Sequence, residues 1–160
     1  RELHIRIQQH PKTAMVTSSD LGSGIHPACK SGYGERAVRV ALGFVYGKKV
    51  ETSGPLYASY VIEGNKVRLK FTHLGQGLAV AQGDKLQGFM IAGADKKFHW
   101  ADAVIEGDSV IVTSAAVGQP TAVRYAFEKN PECNLINKEG LPASPFRSDN
   151  WVSFATKDGG

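Results

Sequence analysis

The densest group of chemically competent side chains in the sequence is Asp20-Leu21-Gly22-Ser23-Gly24-Ile25-His26-Pro27-Ala28-Cys29-Lys30. A histidine held by such a segment can act as a general base, with a carboxylate orienting its second nitrogen and stabilising the imidazolium. Pro27 restricts the backbone next to His26, and Gly22 and Gly24 allow close approach to other groups. The same residues also suit a plain helix-capping loop with a surface histidine, because a lone His reveals no catalytic geometry. The His26-x-x-Cys29 spacing would admit a metal, but structural zinc needs a second pair and Cys133 has no histidine near it in sequence. Neither a metal nor a cofactor is therefore expected. No Gly-x-Ser-x-Gly elbow occurs, and Ser23 fails that spacing. If His26 is catalytic, its serine lies elsewhere. Gly43 to Gly47 lacks the Lys and Ser/Thr of a phosphate-cradling loop. His73 and His99 read as hairpin-end residues, and Trp100, Tyr125 and Trp151 as either a sugar platform or ordinary packing aromatics.

The elements that must carry this segment can be read on either side of it. Ala14-Met15-Val16-Thr17 is a short apolar run bounded by Ser18, Ser19 and Asp20, as expected of a buried parallel strand opening into a loop. Beyond the glycine-rich loop, Ala37, Val38, Ala41, Leu42, Phe44 and Val45 recur at helical spacing, with Gly47 placed for a C-terminal cap. After Gly54-Pro55 the period changes to two. In Lys66-Val67-Arg68-Leu69-Lys70-Phe71 apolar and basic residues alternate, the mark of an antiparallel strand with one solvated face. Further strands are expected near 56 to 62, 86 to 92, 101 to 106, 109 to 113 and 121 to 128. Val61-Ile62-Glu63-Gly64-Asn65-Lys66-Val67 recurs as Val104-Ile105-Glu106-Gly107-Asp108-Ser109-Val110. Each copy predicts a hairpin with a type II′ turn starting at Gly. The segment from Asn130 is irregular, rich in Pro and Asn, and long enough that it must pack on something.

Composition sets the outer limits. The 160 residues are 42% hydrophobic with 18 Gly and 7 Pro, a globular and turn-rich chain with a net charge of +4. No apolar run approaches the roughly 20 residues of a membrane span. Two cysteines do not make a disulfide framework. Residues 1 to 50 hold eight basic and three acidic side chains, residues 101 to 160 five and eight. Lys48-Lys49 and Lys96-Lys97 are isolated pairs without interleaved aromatics, so no nucleic-acid partner is expected. Arg1 stands in an already periodic stretch with no initiator Met, and reads as a cut end of a larger fold.

Taken in order, Ala14-Met15-Val16-Thr17, Asp20-Leu21-Gly22, Ile25-His26-Pro27, Lys30 and Gly34-Glu35-Arg36 resemble the distal catalytic segment of sialate O-acetylesterases. These are carbohydrate acetylesterases of the SGNH (GDS-type) family. The likeness runs on through Ser53-Gly54-Pro55, Gly88-Phe89, Ile91-Ala92-Gly93 and Val123-Arg124-Tyr125-Ala126 to Asn130-Pro131-Glu132-Cys133-Asn134-Leu135 and Gly140-Leu141-Pro142-Ala143-Ser144-Pro145-Phe146-Arg147. It implies a C-terminal part of an SGNH-type α/β domain over residues 1–54. An antiparallel, sandwich-like β domain with an irregular C-terminal segment would follow over 55–160. It also implies a Ser-His-Asp centre removing acetyl groups from sugar hydroxyls. His26 matches the family's catalytic histidine. Many relatives carry the acid two residues before it, where this chain has Gly24, so the role passes to Asp20. Lys30 and Arg36 match the family pattern as loop-positioning or helix-surface residues. The nucleophilic serine belongs to an N-terminal portion or subunit that would be the partner of this chain, with an O-acetylated sugar as substrate. Such esterases are commonly secreted, periplasmic or lysosomal.

Two readings follow. In one, the chain is the His-bearing C-terminal part or processed subunit of a serine-type carbohydrate O-acetylesterase, inactive by itself. In the other, it is a non-catalytic β-sandwich module that binds carbohydrate or a partner domain. The first requires a docking face near His26 that exposes apolar residues of the first 20 positions.

Overall fold

The computed structural model describes residues 7, 10–18, 20–22, 29–128 and 131–151. Helix α1, Lys30–Val40, continues into a wider π-wound turn over Ala41–Val45. It ends where the sequence places its cap: Gly47 has φ +64°, which lets the Lys48 N–H reach back to the Leu42 carbonyl at 2.9 Å. Its start is earlier than the apolar spacing indicates, so Gly32 and Gly34 lie within the helix.

The remainder is β structure, and every strand pairing is antiparallel. One four-stranded sheet has the order β1 (Leu56–Glu63), β2 (Lys66–Thr72), β7 (Ser109–Thr113), β6 (Asp102–Glu106). A second has the order β10 (Phe146–Arg147), β8 (Ala122–Tyr125), β4 (Phe89–Ala92), β5 (Phe98–Trp100). Strands β3 (Leu78–Val80) and β9 (Leu135–Asn137) form a two-stranded ribbon. The two recurring hairpins stand side by side, joined through β2 and β7. Their turns match the expected type: Gly64 and Gly107 have φ +65° and +58°, while Asn65 and Asp108 keep negative φ. Arg68 ties the two copies together, its Nε donating to Glu63 at 2.6 Å and its Nη1 to Glu106 at 2.5 Å.

One core is shared by both sheets. Val67, Leu69 and Phe71 of β2 and Val110 and Val112 of β7 meet Phe89 and Ile91 of β4 and Val123 and Tyr125 of β8. The alternation in β2 is as expected, with Val67 and Leu69 fully buried and Lys66 and Lys70 exposed. The segment after Asn130 does pack on this core. Asn134 donates to the Gln82 and Lys85 carbonyls and accepts from the Gln87 N–H. Asn137, wholly buried, donates to the Ser53 and His73 carbonyls and accepts from the Leu141 N–H.

Two expectations need correction or limitation. Residues 13–18 form no strand, because a parallel strand requires hydrogen-bonding neighbours and none lies beside this stretch among the described residues. Accordingly, the described structure is β-rich with one helix, and the α/β portion expected of residues 1–54 is represented by α1 alone. Strands β3, β5, β9 and β10 were not anticipated, being too short to carry a period.

Candidate functional site

The stem of the Asp20 to Cys29 segment is assembled against one face of α1. Arg36 reaches out from the helix and grips Asp20 with both arms, Nη1 at 2.7 Å from one carboxylate oxygen and Nη2 at 2.6 Å from the other. The same Nη1 donates to the Thr17 carbonyl at 2.6 Å. Charge-assisted, two-pronged pairing of this kind fixes the carboxylate plane as well as its distance. One turn back, the Tyr33 hydroxyl donates to Ser18 Oγ at 2.7 Å. Leu21 lies over Gly32 so closely that a Cβ there would stand 2.6 Å from Leu21 Cδ2, so a side chain at this position would make Leu21 shift. The ends of the segment meet directly, the Cys29 N–H donating to the Leu21 carbonyl at 3.4 Å.

A cleft of about 350 Å³ opens beside this stem, lined among others by Leu21, Cys29, Glu35, Arg36, Arg39 and Glu139. It lies where α1 meets the β9 turn. The connection between α1 and β1 is braced by Glu51, whose Oε1 accepts from the Thr52 and Ser53 N–H groups and sits 2.8 Å from His73 Nδ1. Burial raises the Glu51 pKa, but the His73 contact and the backbone donors outweigh it, so the net shift is downward.

Of the two residues put forward for catalysis, His26 lies outside the described residues. Asp20 is placed, and its carboxylate faces Arg36. Arg36, expected as a loop-positioning or helix-surface residue, bonds the Thr17 carbonyl and the Asp20 carboxylate from the helix. Lys30 opens the helix. Cys29 is exposed, with its Sγ 3.7 Å from Ser31 Oγ, and Cys133 is half-buried 104 residues further along the chain, with no cluster of metal-ligating side chains among the described residues. His73 follows β2 and His99 lies exposed in β5. The three candidate platform aromatics are divided. Tyr125 is a core residue whose hydroxyl accepts from the Leu135 N–H at 2.9 Å, and burial raises its pKa. Trp100 is 58% exposed in β5, whereas Trp151 packs on Phe98 at 5.7 Å.

Exposed apolar side chains collect on α1 and the turn after it. Val38, Leu42 and Val45 follow one another at helical spacing, with Val45 70% exposed, and Phe44, Tyr46 and Val50 stand nearby. Exposure was also expected in the first 20 positions, where Ile7 is 52% exposed. There, Met15 and Val16 are half-buried, lining a small recess with Val40 and Gly54.

No protein-family model matches the chain, and no curated protein does. Among solved structures, a novel carbohydrate acetylesterase from Xanthomonas citri matches with a TM-score of 0.79 and 45% sequence identity. The match covers 82% of this chain but 31% of that one, so the chain spans about a third of the length of that enzyme. Over most of its length, then, this chain resembles one portion of a carbohydrate acetylesterase.

Proposed function

We propose that the chain is the His-bearing C-terminal part, or processed subunit, of a serine-type O-acetylesterase acting on acetylated sugars, sialate among them. In this proposal residues 1–54 complete an SGNH-type α/β domain and 55–160 form its β domain. The observation that carries the reading is the 45% identity to a carbohydrate acetylesterase over 82% of this chain. His26 takes the proton of a serine on the complementary portion as the oxygen attacks the acetyl carbonyl. It then returns that proton to the departing sugar oxygen. The apolar stripe Val38, Leu42, Val45 supports a docked partner, since a helix showing such a face to water ordinarily packs against another element. A non-catalytic β module would also account for a docked partner, but it gives no reason for His26 to meet a serine. By likeness to such esterases, the assembled enzyme would be secreted, periplasmic or lysosomal.

The purified 160-residue chain is expected to show no serine-type turnover of an aryl acetate, and activity is expected to appear when the complementary portion is supplied. Robust turnover by the chain alone would sink the proposal. In the assembled enzyme, His26→Ala is expected to lower kcat by about 10³-fold or more with the fold intact. Near-unchanged activity returns His26 to the status of a surface histidine.

A further inference from the structure

We infer that Asp20 is a positioning residue, which with Arg36 clamps the stem of the His26 segment to α1, and not the carboxylate that orients the His26 imidazole. The inference rests on the esterase reading for what it positions, but the clamp itself is visible in the contacts.

Three independent ties converge on one helix face. Arg36 binds the stem at two points, the Thr17 carbonyl and both oxygens of Asp20. Tyr33 binds it at Ser18, and Leu21 fills the space left by Gly32. Within the stem, the Leu21 N–H donates to the Ser18 carbonyl at 3.1 Å, and Leu21 in turn receives the Cys29 N–H. Leu21 and Cys29, on either side of residues 23–28 in sequence, are therefore joined in a neck whose Thr17–Leu21 side is held to the helix. The guanidinium is well covered, with 13% of the Arg36 side chain exposed, against 37% for Asp20. A carboxylate serves a catalytic histidine by offering uncompensated negative charge to the imidazolium. Asp20 has a full positive charge 2.6 Å away, which offsets that field and would oppose a second cation beside it. The pair is thus suited to holding the backbone in place rather than to assisting proton transfer.

The test compares Asp20→Asn, Arg36→Gln and the double variant in the enzyme assembled from this chain and its serine-bearing portion. A clamp predicts that each single variant lowers kcat by a similar factor, about 10- to 100-fold, with KM within about twofold. The double variant should be no worse than the worse single one, because both remove the same tie. The midpoint of the pH profile of kcat/KM should stay where it is in the wild type. Overturning results are a fall of about 10³-fold or more in Asp20→Asn with Arg36→Gln near wild type, a shifted midpoint in Asp20→Asn, or wild-type kcat in both single variants. A second measurement is independent of activity. In the 160-residue chain, hydrogen exchange at the Leu21 and Cys29 amides should accelerate in both variants, with amides of β2 and β7 unchanged. Unchanged exchange overturns the clamp. An assembled wild-type enzyme without acetyl-ester turnover would refute the esterase reading, while the exchange result still decides the clamp.

Discussion

Single polar side chains in the core bridge segments distant in sequence. Asn137 satisfies two carbonyls and one N–H with no solvent access, joining the end of β2, the approach to β1 and the β9 turn. Truncating it orphans all three groups, so Asn137→Ala is expected to destabilise by about 2–4 kcal/mol in denaturant unfolding. Asp149 shows how a buried carboxylate responds to pH. Its side chain is 1% exposed and its two oxygens accept from Arg124 at 2.8 and 2.9 Å. Burial alone raises its pKa, but the Arg124 bonds outweigh this and the net shift is downward. A carboxyl whose pKa is lower folded than unfolded binds fewer protons in the native state. Its stabilisation is complete above the unfolded value, about 3.9, and is lost as pH falls through the folded one. Asp149→Asn should therefore flatten the acid limb of a stability–pH curve below about pH 5. An unaltered limb would remove Asp149 from the acid response. At this scale the sequence pointed to Asp20 and His26 as chemically apt, but not to the Arg36 fork. A guanidinium sixteen residues away becomes a neighbour of Asp20 only after the stem has folded over α1.

At the scale of elements, the hairpins were the most legible feature, and Gly64 and Gly107 explain why. A residue at the first turn position of a type II′ hairpin must hold a positive φ, which costs a non-glycine residue about 1–2 kcal/mol. Gly107→Ala is expected to destabilise by that amount although open space surrounds the added Cβ. Gly118→Ala, equally open but without a positive φ, should stay within about 0.5 kcal/mol. Equal effects in thermal unfolding would refute the strain argument. Strand β2 was legible because one of its faces meets water, so its residues alternate over seven positions. Strands β9 and β10, of three and two residues, have no room for alternation. They exist because Leu135 and Phe146 are drawn into a core whose other members come from distant strands. Ala14 to Thr17 failed in the opposite sense: four apolar or β-branched residues suit a strand, but a strand also needs a partner edge.

The molecule as a whole is unequal in stability. Both sheets close on one core with no buried side-chain polar atom unsatisfied among the described residues, whereas α1 contributes no buried residue. Opening α1 should therefore cost far less than opening the sheets. Amides of α1 are expected to exchange orders of magnitude faster than those of β2 and β7 in this chain. Equal protection in the isolated chain would contradict this. The match to the acetylesterase covers 82% of this chain and about a third of that enzyme. What the sequence determined by itself was whatever is written locally: the period of β2, the glycine turns and the cap at Gly47. Only the tertiary structure decided which residues partner one another across the chain, among them Arg36 with Asp20, Asn137 with Ser53, and Arg68 with both repeat glutamates. Such pairings depend on the path of the backbone between the partners, and local spacing carries no record of that path.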